Sequence, residues 1–408
     1  MRSRRFPQTR DFRWLATGQG LSWIGDAFQP IALSVVVIAG GGTAGELGTL
    51  MAAGVVARLL CTLVGGVWAD RLPPQRLMIG ADLVRAGAVG AIAIAFLAED
   101  PPLGLLCALM ALTAGAGAFF YPAMTSLKAV VVPLEQRQES NATLSVLQTG
   151  ASIVGPAVGG VLVAVAGPSA GFAVNSATYV VSAVTVMLVR TTALRAPRTG
   201  FRAELAGGWT AIRERDWLLW GLAAAGVFHV ANGVVLVLVQ VVAVRELGGA
   251  GAVGAIAAAL GAGGLVGSLV ALRFRQRRPL VAGYLALGLM PLWVASYVWP
   301  GVLAGVLVGG FVGYAGLMFF SVCWDTALQD AVPHGQLARV SSWDILTSFI
   351  GMPVGNALAG PLAEHLGTHP VLLGCAVVFL VAGLAPLAAQ GTRALSRPIS
   401  SDLAHADN

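Results

Sequence analysis

The chain has 408 residues, of which 57% are hydrophobic and only 11% are charged. Soluble domains carry about 25% charged residues. The composition therefore excludes an ordinary soluble enzyme, a disordered protein and a nucleic-acid-binding protein, and it indicates a membrane protein with several spans.

Long apolar runs predict where the chain crosses the membrane. A helix needs about 20 mostly apolar residues to cross the hydrocarbon core of a bilayer. The runs are too long for barrel strands, so the predicted fold is all-α, with twelve transmembrane helices. In chain order they cover residues 14–39, 47–69, 77–98, 103–126, 141–166, 169–189, 217–243, 251–272, 279–299, 301–326, 340–364 and 370–389.

The distribution of basic residues predicts the orientation of these helices. With a cytoplasmic N-terminus, nearly all Lys and Arg residues fall on the inner side, Arg245 falls outside, and Arg58 lies within a span. This asymmetry follows the positive-inside rule, so both termini are expected in the cytoplasm. Anionic lipid, and not nucleic acid, is the expected neighbour of the basic loops.

A polar stretch and an internal repeat predict two halves. The longest polar segment between spans predicts an amino-terminal six-helix bundle at 1–190, a cytoplasmic linker at 191–215 and a second bundle at 216–408 with a short cytoplasmic tail. A shift of 200 residues places Phe119-Phe120 on Phe319-Phe320, Val132-Pro133 on Val332-Pro333, and Gly155 on Gly355. Duplication of a unit with an even number of spans gives two parallel copies.

Asp26 and Arg58 are the ionisable residues expected deepest in the membrane. Each lies roughly 17 Å from the inner face at 1.5 Å per residue, so adjacent antiparallel helices could bring them together. Each should face the protein interior or a water-filled cavity. Two interpretations remain open: a permanent structural salt bridge, or a titrating carboxylate that couples or binds substrate and is tuned by Arg58.

Four other positions complete the expected cavity. His229 and Asn232 lie midway along the seventh predicted span, where the histidine could carry a proton or be a neutral core residue. Gln148 is a weaker candidate, and Trp23 lies one turn from Asp26. Cytoplasmic-side ion pairs or helix-end charges, as opposed to substrate ligands, are expected at Asp82, Arg85, Asp325, Asp330 and Asp344.

The loop between the second and third spans carries a motif. Its sequence, GGVWADRLPPQR from Gly65 to Arg76, resembles the loop signature of the major facilitator superfamily. It differs from that signature in having Pro73 in place of the second glycine and Pro74-Gln75 in place of the basic pair. The resemblance implies a conformational latch between the two halves of the transporter. Its predicted members are Gly66, Asp70, Arg71 and Arg76.

A second motif lies in the fifth predicted span. Gly155, Pro156, Gly159 and Gly160 resemble the G-P-x-x-G-G signature of the antiporters in that superfamily. Small residues permit close helix approach and proline bends a helix, which suits a moving interface. The opening segment, FRWLATGQGLSWIGDAF, is similar to one branch of the superfamily. That branch contains macrolide-efflux and enterobactin-exporter proteins.

The resemblance implies a secondary active transporter that works by alternating access in the bacterial cytoplasmic (inner) membrane. The expected activity is antiport: efflux of a drug-like or siderophore-like small molecule in exchange for protons, with antibiotic resistance as a consequence. An importer on the same fold, and a lipid flippase or accessory membrane protein, remain alternatives.

No enzymatic role is expected. The sequence has no catalytic or metal-ligand cluster and no phosphate-binding loop for ATP. The proton gradient would supply the energy, so no cofactor or metal is expected. The expected partners are the small-molecule substrate and membrane lipid, and the chain is expected to act as a monomer.

Overall fold

The computed structural model describes residues 10–69, 72–97, 101–133, 136–190, 209–210, 212–274, 276–298 and 303–396. Every regular element in these ranges is helical. The first seven helices are α1 (Arg10–Asp26), α2 (Phe28–Ala39), α3 (Ala44–Ala69), α4 (Pro74–Ala95), α5 (Leu103–Val131), α6 (Arg137–Ala166) and α7 (Pro168–Met187).

Further helices follow α7 in the described part of the chain. They are α8 (Asp216–Glu246), α9 (Ala250–Arg273), α10 (Pro279–Leu287), α11 (Met290–Ala295), α12 (Leu303–Ala331), α13 (His334–Leu366) and α14 (Thr368–Leu384). A short 3-10 turn, Ala385–Ala388, precedes α15 (Gln390–Ala394). Pro291 lacks the N–H that would bond to the Leu287 carbonyl, which explains why α10 ends there.

Ten helical segments of the described chain are long and apolar enough to cross a membrane. One of them, Arg10–Ala39, combines α1 and α2. The predicted ninth span is a shorter apolar segment, Pro279–Ala295, and α13 is not among the ten. A multi-pass helical membrane protein is confirmed, whereas the count of twelve spans and the cytoplasmic termini remain predictions.

The helices group into two compact units. The first contains α1 to α7 together with residues 240–258, and the second contains residues 212–239 and the helices from residue 259 onward. Residues 240–258 therefore group with the first unit, whereas the sequence predicts them in the second bundle. The predicted linker, residues 191–215, falls mostly outside the described residues.

Helix boundaries repeat at the 200-residue interval found in the sequence. α5 and α12 both span 29 residues and begin 200 positions apart, at Leu103 and Leu303. The following helix ends in each case at a glycine with positive φ, 84° at Gly167 and 86° at Gly367. Because only glycine adopts this conformation without strain, the same chain reversal is encoded twice.

The packing of the first unit determines what surrounds α1. That helix packs against α6 and α7, and α4 packs against both α5 and α7. A buried apolar cluster that includes Leu15, Met78, Phe120 and Val186 joins α1, α4, α5 and α7. Asp26, the last residue of α1, lies within hydrogen-bonding distance of residues near the middle of α4 and α7.

Candidate functional site

Asp26 is the last residue of α1, next to a one-residue break in the first membrane span. Pro30 accounts for the break, because it cannot donate a hydrogen bond to the Asp26 carbonyl four residues earlier. The Ala27 N–H still bonds to the Trp23 carbonyl at 3.3 Å. The deep carboxylate therefore lies at a local irregularity of the helix.

Arg85, near the middle of α4, is the ion-pair partner of Asp26. Its Nη2 atom lies 2.9 Å from Asp26 Oδ1 and 3.0 Å from Oδ2. The same nitrogen donates to the Tyr179 hydroxyl of α7 at 2.8 Å. That hydroxyl in turn donates to Asp26 Oδ1. The three side chains form a closed hydrogen-bonded triangle that joins α1, α4 and α7.

Aromatic rings hold the Arg85 side chain in place. Its Cζ lies 3.9 Å from the centre of the Tyr179 ring and 5.7 Å from the centre of the Phe120 ring. Such cation–π contacts contribute more when the cation is removed from water. The Arg85 side chain is only 12% exposed.

A second carboxylate lies on the other side of Arg85. Asp82, one turn earlier in α4, places Oδ1 3.6 Å from Arg85 Nη1. Asp82 is fully buried, whereas the Asp26 side chain is 35% exposed. One guanidinium thus lies between a carboxylate in the interior and a carboxylate that reaches the cavity described next.

A cavity of about 530 Å³ opens beside this cluster within the first unit. Four predicted residues, Trp23, Asp26, Arg58 and Gln148, line it. Apolar side chains and a smaller number of polar ones line its walls, as in many small-molecule sites. Its further lining residues include Gln29, Met51, Arg85, Met110, Phe120 and Tyr179.

The predicted pairing of Asp26 with Arg58 is wrong. Arg58 is exposed on the cavity wall, and none of the carboxylates in the described chain forms an ion pair with it. Its helix, α3, packs mainly against α5. In contrast, α4 packs against α7 and reaches the end of α1 through Arg85. Depth along a helix could be read from the sequence, but the direction in which each helix faces could not.

The expectation of an ion pair or of helix-end charges at Asp82 and Arg85 is confirmed only for the pairing, and not for a position at the helix end. Arg85 is residue 12 of the 22 in α4. The ion pair with Asp82 at helical spacing is present, but it lies mid-helix and is continuous with Asp26. Two opposite charges three residues apart within an apolar run were the sequence signal for this cluster.

A second cavity, of about 280 Å³, lies in the second unit. His229 and Asn232 line it, as do Asp325 and Asp344, which were expected to be cytoplasmic-side ion pairs or helix-end charges. His229 Nδ1 lies 2.7 Å from the Ala225 carbonyl oxygen, so Nδ1 carries a proton. This bond is compatible with both interpretations of His229, as a proton carrier and as a neutral core residue.

The loop motif is largely outside the described residues. Asp70 and Arg71 are not described, nor are the surroundings of Gly66. Arg76 is exposed in the first turn of α4. The latch implied by the resemblance remains a prediction.

The glycines of the second motif lie where helices touch. A Cβ atom at Gly155 would lie 2.6 Å from Ala27 Cβ, and one at Gly159 would lie 2.6 Å from Phe28 Cδ1. At Gly160 it would lie 3.0 Å from the Ala250 carbonyl oxygen. Pro156 lies inside α6 between these contacts. The motif therefore lets α6 approach the break that follows Asp26.

Comparisons with known proteins agree with this architecture. The chain is 25% identical over 377 residues to the multidrug efflux pump Tap of Mycolicibacterium fortuitum, covering 88% of this chain and 91% of Tap. It is 27% identical over 154 residues to the macrolide efflux protein A of Streptococcus pyogenes, 38% of each chain.

A solved structure shows the same fold. The inward-facing, unoccupied bacterial homologue of the human lysosomal transporter Spinster aligns with a TM-score of 0.73 at 14% identity, over 94% of this chain and 96% of that one. The family model of the Major Facilitator Superfamily matches residues 15–356. The chain belongs to the Major Facilitator Superfamily, and it is a membrane transporter rather than an enzyme.

Proposed function

We propose that the chain exports a drug-like or siderophore-like small molecule in exchange for protons. Two relatives, named as a multidrug efflux pump and a macrolide efflux protein, support export. The observation that carries the proposal is the contact between Asp26 and Arg85 at the edge of a cavity in the membrane-spanning part of the chain. A proton could reach Asp26 from the same cavity in which a substrate would bind.

A proton on Asp26 would change the balance of charges in the cluster. It removes the negative charge that holds Arg85 on the cavity side, while the charge of Asp82 remains behind the guanidinium. Because Arg85 and Tyr179 tie α4 and α7 to the end of α1, this change alters the contacts between three helices. Coupling then requires only that proton and substrate bind the two transporter conformations unequally.

The break after Asp26 gives these helices a place to move. Gly155 and Gly159 of α6 contact Ala27 and Phe28, directly after the carboxylate. A rearrangement at Asp26 is therefore transmitted to α6 through packed backbone. The proposed setting is the bacterial inner membrane, with the proton gradient as energy source, a monomer as the working unit and drug resistance as the consequence.

Proton movement in proteoliposomes tests this function. The purified chain is reconstituted with a pH-sensitive dye trapped inside, and drug-like compounds of either charge are added one at a time, among them a macrolide because one relative is named for macrolide efflux. Antiport predicts substrate-dependent proton flux opposite to the substrate. Flux in the same direction would support the importer. Lipid movement between leaflets without coupled protons would support the flippase.

A further inference from the structure

Arg58 is the charged group of the cavity that the cluster around Asp26 does not use. It lies in α3, 14 residues after Ala44 and 11 before Ala69. At 1.5 Å per residue, it is at least roughly 16 Å from either end of the helix. An Arg at this depth is costly unless it faces water or an anionic partner.

The protein itself does not provide that anionic partner in the part of the chain that the structure describes. Asp26 is bound by Arg85 and by the Tyr179 hydroxyl, and Asp82 is buried behind Arg85. The Arg58 side chain is exposed and lines the cavity. A bound anion could therefore use its guanidinium without first breaking an ion pair.

The remaining walls suit the body of an organic molecule. Trp23 and Phe120 supply aromatic surface, and Met51 and Met110 supply adaptable thioether side chains. Gln148 is exposed on the same cavity and adds an amide donor. A ligand with an apolar ring system and one acidic group matches this combination.

We propose that Arg58 binds the acidic group of the substrate, so that the cavity selects amphipathic organic anions. The proposal rests on the proposed function, since it takes this cavity as the transport site. A guanidinium offers carboxylate, sulfonate or phosphate two parallel donors. An organic cation would instead have to displace Arg85 from Asp26, and a charge on Arg58 would repel it.

Two fluorescent probes separate charge recognition from apolar binding. They are 8-anilinonaphthalene-1-sulfonate and N-phenyl-1-naphthylamine, which share one ring system and differ by the sulfonate. The full chain is placed in nanodiscs of zwitterionic phosphatidylcholine and titrated with each probe. The variants are Arg58→Gln, Arg58→Lys and the control Arg245→Gln. Arg245 is exposed, donates to the Gly42 carbonyl at 2.9 Å and does not line the cavity. Arg245→Gln therefore removes the same charge as Arg58→Gln, but at a position outside the cavity.

The expected result is specific to one probe and one arginine. Arg58→Gln should weaken binding of the sulfonate probe by about tenfold or more and binding of the neutral probe by less than about twofold. Arg58→Lys should retain part of the sulfonate affinity, and Arg245→Gln should retain all of it. Equal weakening of both probes, an unchanged sulfonate affinity, or no binding of the sulfonate to the wild type would overturn the proposal.

The same preparations keep this proposal distinct from the proposed function. If the sulfonate discrimination is present but no substrate moves protons in proteoliposomes, the anion site stands and proton-coupled efflux fails. If proton-coupled efflux is present but Arg58→Gln leaves the sulfonate affinity unchanged, the anion site fails and efflux stands.

Discussion

The Nη2 atom of Arg85 lies 2.9 and 3.0 Å from the two carboxylate oxygens of Asp26, a residue 59 positions earlier in the chain. Arg85 also lies against Asp82, which has no exposed surface. The guanidinium therefore compensates two carboxylates at once, of which only Asp26 is open to the cavity. This difference in access is the reason why the proposed function assigns the transported proton to Asp26 and not to Asp82.

Removal of Arg85 should destabilise the fold. Arg85→Gln leaves the buried Asp82 carboxylate without a cation, and breaking a buried pair by removing one partner costs about 3–5 kcal/mol. Adding Asp82→Asn to this variant should recover part of the loss, because the uncompensated charge is gone. Thermal unfolding in detergent measures both effects.

The matched control for Arg85 is Arg76→Gln, an exposed arginine in the first turn of the same helix. It should change the unfolding temperature little. An Arg85→Gln protein as stable as the wild type would show that the cluster does not hold α1, α4 and α7 together.

Tyr179 should contribute to the stability of the fold through its hydroxyl and, separately, through its ring. Tyr179→Phe removes the hydroxyl that links Arg85 and Asp26 but keeps the ring below the guanidinium. Loss of hydrogen bonds to charged groups should cost about 1.5–3 kcal/mol. Tyr179→Leu should cost about 0.5–2 kcal/mol more, because it also removes the cation–π contact. Thermal unfolding ranks the variants, and equal stability of Phe and Leu variants would contradict a role for the ring.

The sequence predicted the framework better than the cluster. Apolar length and the 200-residue repeat anticipated the paired helices α5 and α12, because both signals lie along the chain. The partner of Asp26 could not be read in this way. It depends on which face of α4 meets α7, and that is decided by tertiary packing.

A glycine contact in the second unit should be sensitive to a single methyl group. A Cβ at Gly355 would lie 2.9 Å from Gly233 Cα and would meet the Val230 carbonyl oxygen. Gly355→Ala should therefore force α8 and α13 apart and cost about 1–3 kcal/mol. The measurement is the unfolding temperature of the purified protein.

Gly226→Ala is the control for this contact, since nothing lies within 4 Å of the added methyl. It should be neutral or stabilising by up to about 1 kcal/mol, because alanine is the better helix former. If both variants lose the same stability, close approach at Gly355 does not matter.

Single cysteines test the predicted topology. In a background without the four native cysteines, the predicted orientation places Thr43→Cys and Thr368→Cys outside and Leu72→Cys and Arg277→Cys inside. A membrane-impermeant maleimide should label the first two in intact cells and the others only after permeabilisation. If Pro279–Ala295 does not cross the membrane, labelling at Thr368 should invert.

Comparison of proton-driven efflux with substrate exchange for Asp26→Asn tests the coupling role of Asp26 most directly. Asparagine keeps the shape of the side chain but cannot cycle between charged and neutral forms. If Asp26 couples transport to protons, proton-driven transport should fall by about tenfold or more in this variant, while exchange of labelled for unlabelled substrate continues without a proton gradient. Proton-driven efflux at the wild-type rate in Asp26→Asn would contradict this role.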